Sequence, residues 1–230
     1  MLTKVFFLSA DGNEDGLTYC ISDIHGEYNR YLAMLELIDF SDTDTLYVLG
    51  DVIDRGDDGV DILLDIMGRS NVKMLMGNHE YMCLATLGPQ SELGARQLWR
   101  QNGGSPTYYA LMFEKTKEER MKVIQFIQNL PDHFDIEVAG KMFHLVHGYP
   151  ADNWYDRIWK RPKRVDELPM SGTTVIIGHT PTVFLTGDDG KPFRIWHGNG
   201  IIDIDCGCGK KTENRRLACL RLDDMREFYV

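Results

Sequence analysis

The sequence predicts an α/β fold on three observations. Apolar runs of strand and helix periodicity alternate through the first half, polar loops containing glycine close the strands, and short β-rich runs fill the second half. Strand, loop and helix in repeated alternation are the mark of βαβ units, so the first half should form a largely parallel sheet. At 230 residues, 43% hydrophobic and 26% charged, a single domain over residues 1–230 can bury a sizeable core without staples.

Leu17 to Ile21 reads as the first strand, and Tyr28, Tyr31, Leu32, Leu35 and Ile38 then recur at helical spacing. Thr45 to Leu49 is the next strand, Val60, Leu63, Leu64 and Met67 mark a second helix, and Val72 to Met76 is a third strand. From about 81 to 130 the chain is helical in character and is expected to form an inserted cap; Ser105-Pro106 suits an N-cap followed by a first-turn proline. From Phe134 onward come Met142 to Val146, Thr174 to Ile177, a hairpin turning at Asp188-Asp189-Gly190, Ile201 to Ile204 and Leu217 to Leu222, which predict a more antiparallel second sheet. Met74, Met76, Tyr28 and Tyr31 are expected in the core.

The formal net charge of -10 argues against nucleic acid as a partner, because a phosphate backbone requires a clustered cationic surface. Two basic runs, Lys160 to Arg164 and Lys210 to Arg216, read as solvated surface. The apolar run at Val5 to Leu8 is too short for a signal sequence, and no stretch approaches the roughly 18 apolar residues of a membrane span. A soluble, cytoplasmic monomer with no membrane partner is the expectation. Five cysteines without regular spacing make no disulfide framework, and Cys206 and Cys208 read as ordinary thiols.

Chemistry concentrates at strand ends. Ser22-Asp23-Ile24-His25-Gly26, Gly50-Asp51-Val52-Ile53-Asp54-Arg55-Gly56, Gly77-Asn78-His79-Glu80, His147-Gly148 and Gly178-His179-Thr180 each follow an apolar run. In an α/β sheet such loops meet in one crevice. Asp23, His25, Asp51, Asn78, His147 and His179 offer carboxylate, amide and imidazole donors suited to borderline divalent ions such as manganese, iron or zinc. Six donors fit two ions about 3.5–4 Å apart, the clamp used for in-line attack at phosphorus. Asp23, Asp51 and Asn78 could each be turn or cap residues, and His79 a solvated helix start. That all of them stand at strand ends favours the site. His133, His144 and His197 carry no motif and read as structural.

In this order the five loops resemble the signature of the phosphoprotein phosphatases, the serine/threonine branch of the calcineurin-like metallophosphoesterases, and the small bacterial and phage members in particular. Ser22 stands where the family usually has Gly, and Asp205-Cys206-Gly207 resembles its C-terminal strand-end motif with Cys in a usual Thr position. The resemblance implies a four-layer α/β/β/α sandwich with the helical insert beside a two-metal cleft, manganese being the first choice of ion. It assigns Asp23 and His25 to the first metal, Asp51 to the bridge, and Asn78, His147 and His179 to the second. It implies that Arg55 and Asn78 contact the phosphate, that a hydroxide bridging the metals attacks, and that His79, oriented by Asp54, protonates the leaving alkoxide. Ile158-Trp159-Lys160-Arg161 resembles a Trp-x-Arg stretch that supplies a second phosphate-binding arginine, Arg161, with Arg157 as the alternative.

The implied substrate is a phosphorylated protein. The rival within the enzymes is the symmetrical dinucleoside-tetraphosphate hydrolase, which typically has Ala at the Asp54 position and Asp at the Glu80 position. Phosphodiesterases and nucleases of the wider group usually carry Gly-His-x-His, whereas Pro181 stands at their extra ligand and cannot bind metal. A binding module that had lost catalysis would lack ligands or the acid, and none is lost here.

Overall fold

The computed structural model describes residues 16–163, 170–187 and 190–230. Arg164 and the turn expected at Asp188-Asp189 lie outside the described residues. The first half follows the alternation read from the sequence: β1 (Thr18–Ile21), α1 (Tyr28–Leu37), β2 (Thr45–Val48), α2 (Gly59–Gly68) and β3 (Val72–Met74). β1 pairs parallel with β2, and β2 with β3. The strand period of two splits β1 cleanly. Tyr19 and Ile21 pack under the helices while Cys20 faces the second sheet.

Both helices are turned slightly from the expected face. Tyr31, Met34 and Ile38 are the buried stripe of α1 and its end, and Leu32 is 41% exposed. In α2 the buried set is Val60, Ile62, Leu63 and Ile66, with Leu64 and Met67 only half-buried. Apolar residues outnumber the positions that can face the sheet in each helix, so the pattern alone does not fix the rotation.

α3 (Asn78–Leu87), α4 (Ala95–Gln101), α5 (Ser105–Tyr109), a π-helical turn (Ala110–Glu114) and α6 (Lys117–Gln128) follow. Pro106 does sit in the first turn of α5, but Gly104 rather than Ser105 is its N-cap. A Cβ at Gly104 would lie 2.3 Å from the indole of Trp99, so the helix start is set by that packing. α6 opens on a capping box, Thr116 with Glu119, and buries Val123, Ile124 and Ile127.

The second sheet differs from expectation. β4 (His133–Val138), β5 (Lys141–Val146), β6 (Thr173–Ile177), β7 (Trp196–His197) and β8 (Ile201–Asp203), with α7 (Trp154–Trp159) and α8 (Val183–Thr186) between them, give the order β4-β5-β6-β8-β7. Its centre, β5-β6-β8, is parallel, and only the two edge strands are antiparallel. β9 (Ala218–Arg221) and β10 (Arg226–Tyr229) then return to the first sheet, where β9 lies antiparallel to β1. Strand runs carry no direction of their own, which is why the sequence misplaced these polarities.

Cys20, Tyr47, Leu49, Phe143, Leu145, Ile176, Ile202 and Leu220 fill the space between the sheets. The outer face of the second sheet is thinner, with Val146, Val175, Ile177 and Ile201 packed under Tyr149, Met170 and Trp196. Helices, two sheets and this outer covering make the four layers. No helix among the described residues is long and apolar enough to cross a membrane.

Candidate active site

The strands of both sheets end at one crevice, and their loops are held in backbone shapes that side chains rarely adopt. Asp23, His25, Asp51, Asp54, Arg55 and His179 have φ of 49°, 50°, 53°, 73°, 68° and 65°. Such left-handed turns cost free energy and persist where surrounding bonds over-determine them. Those bonds are present: His25 N–H donates to Asp51 O at 3.0 Å, Gly26 N–H to Val52 O at 2.8 Å, and Gly56 N–H to His25 O at 3.0 Å.

Glu80 supplies a second brace. Wholly buried, its carboxylate accepts from the N–H groups of Asp51 at 2.8 Å, Val52 at 2.9 Å and Gly77 at 3.1 Å. Burial and the charge of Asp51 push its carboxyl up to about 7. The sequence marked Glu80 only as part of a motif; the signal for its structural role was Gly77-x-x-Glu80, the spacing of a capping box.

The six expected ligands come together. Asp51 belongs to two buried groups whose donor atoms lie within 4.8 Å of one another, one with His25 and His79 and one with His147 and His179. Asp23 Oδ1 is 3.8 Å from His25 Nε2. Asn78 Oδ1 is 3.1 Å from His147 Nε2. The hydroxyl of Ser22 donates to Asp23 Oδ2, which also accepts from His179 N–H at 2.9 Å, so Asp23 turns Oδ1 inward. Gly178 faces that pair: a Cβ there would lie 1.8 Å from Ser22 Oγ.

The histidine tautomers follow from their partners. A carbonyl can only accept, so His25 Nδ1 donates to Ile53 O at 3.0 Å and His147 Nδ1 to Leu49 O at 2.6 Å. Nε2 of each is thereby directed into the crevice. His179 is the reverse, with Nε2 donating to Trp159 O at 3.1 Å and Nδ1 left inward. His25 Nε2 is buried without a hydrogen-bond partner among the described residues, which is costly in a protein interior unless a cation completes it.

Charge in the crevice points the same way. Burial, with Arg55 and His79 nearby, holds His25 well below its ordinary value, and burial with His147 and Arg161 drives His179 down to about 2. Burial alone would also lower His147, but Asp51 and Asp23 push it up to about 9. Burial and the charge of Asp51 raise Asp23. His25 and His179 are kept neutral beside close carboxylates, and His147 becomes a donor once it gives up its proton; such a set suits divalent cations, so the residues fit a two-metal centre.

Beside this cluster, His79 Nδ1 is 2.6 Å from Asp54 Oδ2, and Arg55 Nη2 is 3.2 Å from His79 Nε2. Burial pulls His79 down, yet Asp51 and the bond to Asp54 leave it above its ordinary value. Three contacts that the sequence did not reveal fix this arrangement. Trp99 Nε1 donates to Asp54 Oδ2 at 2.7 Å, Asp54 N–H donates to Thr107 Oγ1 at 2.9 Å, and Arg55 N–H donates to Gly103 O at 3.0 Å. All come from α4, α5 and their junction, so the helices beside the cleft clamp Asp54 and Arg55. Arg161 Nη1 donates to His179 O at 3.0 Å, whereas Arg157 is bound to Ala151 O and Asp132. Arg161 therefore faces the crevice and Arg157 does not.

A family model described as calcineurin-like phosphoesterase matches residues 17–214. A serine/threonine-protein phosphatase 2 of Salmonella typhimurium is 29% identical over 177 residues, which are 70% of this chain and 78% of that protein. A symmetrical bis(5'-nucleosyl)-tetraphosphatase of Salmonella paratyphi B is 40% identical over 70 residues, 30% of this chain and 25% of that protein. Among solved structures, a serine/threonine phosphatase of Saccharomyces cerevisiae aligns with a TM-score of 0.62 over 92% of this chain and 74% of that one; at 12% identity, this is a likeness of fold.

Proposed function

The chain belongs to the calcineurin-like phosphoesterase family, and from that premise we propose that it is a protein phosphatase acting on phosphoserine and phosphothreonine. The coarser activity, metal-dependent hydrolysis of phosphoesters, comes with the family. Asp23, His25, Asp51, Asn78, His147 and His179 would hold two divalent ions, manganese by preference and iron or zinc as alternatives. When bound, the ions would supply Lewis acidity toward the phosphoryl oxygens and lower the pKa of the attacking water.

The observation that carries the finer reading is the buried Asp54–His79 pair at 2.6 Å. Serine and threonine leave as strongly basic alkoxides that require a proton, whereas a nucleotide phosphate leaves as a far weaker base. A histidine held by a carboxylate is the acid that an alkoxide demands. In the present arrangement Arg55 donates to His79 Nε2, so that nitrogen is the acceptor. An entering phosphate draws the Arg55 fork to its oxygens, and Nε2 is then free to carry the proton it delivers. Arg161 contacts the phosphate with Arg55, and Asp54 keeps the ring aimed. Asn78, whose Oδ1 is 3.1 Å from His147 Nε2, would contact the phosphate as well as a metal. The net charge of -10 disfavours nucleic acid as a substrate.

The second reading, dinucleoside tetraphosphate hydrolysis, draws on the 40% identity over 70 residues. One experiment separates them: release of product from a phosphothreonine peptide, a phosphotyrosine peptide and diadenosine tetraphosphate, with manganese or chelator, for the parent and His79→Asn. Manganese-dependent dephosphorylation of the phosphothreonine peptide that falls about 10²–10⁴-fold in the variant supports the proposal. Preferential cleavage of the dinucleotide, with little loss in the variant, overturns it.

A further inference from the structure

Beside the crevice lies a cavity of about 510 Å³ whose charged lining is entirely cationic: Arg55, Arg161, Lys163 and Lys210, with no carboxylate among the described lining residues. On a chain of net charge -10 this concentration opposes the overall balance. Lys210, which the sequence assigned to a solvated basic run, is brought here by the loop after Cys208. That loop lies flat on a metal-ligand candidate: a Cβ at Gly209 would be 2.5 Å from the His25 ring, so only glycine permits the approach.

The ammonium of Lys210 is 4.8 Å from the ring centroid of Phe184, which is itself 64% exposed and also lines the cavity. The exposed ring gives the ammonium a seat in the cavity wall. Thr180, another lining residue, has a buried hydroxyl with no partner among the described residues. A single phosphomonoester would be served by the metal ligands, Arg55 and Arg161, which leaves the ammonium of Lys210 for another group.

We infer that this cavity, through Lys210 beside Phe184 in its wall, is a subsite for a second anionic group of the substrate, an acidic side chain or further phosphate next to the scissile residue of the same peptide. The inference rests on the phosphatase reading and narrows its substrates to acidic phosphopeptides.

The test is kcat/KM of the manganese-loaded full chain on phosphothreonine peptides that differ only in carrying Glu, Gln or Lys at the flanking positions. The expected order is Glu, Gln, Lys, with Glu about five- to tenfold above Gln, expressed in KM and shrinking as salt is raised. Lys210→Glu should bring the Glu-to-Gln ratio to about one, and Lys210→Arg should keep it. The ratio compares two substrates on one preparation, so partial misfolding of a variant does not move it. Equal turnover of the three peptides, or a preference that survives Lys210→Glu, overturns the subsite while leaving the phosphatase reading intact. Failure to hydrolyse any phosphopeptide while diadenosine tetraphosphate is cleaved overturns both.

Discussion

Replacing Trp99 by Phe removes one hydrogen bond from a fully enclosed carboxylate beside the cleft. Asp54 is wholly buried; its Oδ2 accepts from His79 Nδ1 and from Trp99 Nε1 at 2.7 Å, and its Oδ1 has no hydrogen-bond partner among the described residues. Without the indole, His79 is the one remaining donor seen to that side chain. A hydrogen bond to a charged group contributes about 1.5–3 kcal/mol. For a chain of this length the loss lowers Tm by roughly 3–12 °C.

The same loss changes the acid. A less stabilised Asp54 holds the His79 proton more tightly, and the ring is less firmly aimed. Taking about 2 kcal/mol as the penalty, kcat on a phosphothreonine peptide should fall roughly thirtyfold, with KM within about twofold. An aryl phosphate, whose phenolate needs little help from an acid, should lose less than about threefold. The assay is steady-state kinetics on both substrates at one pH and saturating manganese. If the two substrates lose rate by the same factor, Trp99 is a packing residue alone and the link from α4 through Asp54 to the acid is wrong.

Three further outcomes follow. Metal affinity should rise with pH, because below about 9 an entering ion must displace the proton that Asp51 and Asp23 hold on His147 against burial; chelator competition at pH 6.5, 7.5 and 8.5 reads the slope, and a flat profile refutes it. That proton also stabilises the metal-free fold fully below the unfolded value of about 6.5, and its contribution is lost as pH rises through about 9. Gly178→Ala, whose Cβ would meet Ser22 Oγ at 1.8 Å and Asp23 Oδ2 at 2.4 Å, should cost about 1–3 kcal/mol and deplete bound metal; an unchanged melting curve with full metal content contradicts the packing. Chelation of the loaded protein should lower Tm, with about 2.7 kcal/mol lost from a site at a hundred times its Kd, and added manganese should restore it; calorimetry that shows no shift means the ions do not bridge the folded loops.

Local chemistry was the legible part. Asp23-x-His25-Gly26, Asp51-x-x-Asp54-Arg55 and Asn78-His79-Glu80 are compact because each loop turns at one strand end, so residue type and spacing carry the information. Contacts that join distant segments left no local trace. Trp99 reaches Asp54 across 45 residues and Thr107 across 53, and nothing near either residue distinguishes it from a core aromatic or a helical threonine. Helix rotation was misjudged for α1 because Leu32 and Met34 are equally apolar, and only the sheet beneath decides between them. The parallel centre of the second sheet escaped notice for a related reason: direction is set by how the chain returns, which the strands themselves do not encode.

The pairing of Tyr19 with Arg221, Cys20 with Leu220 and Ile21 with Cys219 has a consequence for how the molecule is made. Translation delivers β1 long before its partner β9 exists, so one edge of that strand spends most of synthesis with unsatisfied amides and carbonyls. The chain can pair β9 with β1 only after residue 221 has cleared the ribosome, and complete the sheet only after β10 has followed. Nascent chains stalled before that point should therefore bind holdase chaperones and be cut readily by protease, whereas release of the last strands should confer resistance in a single step.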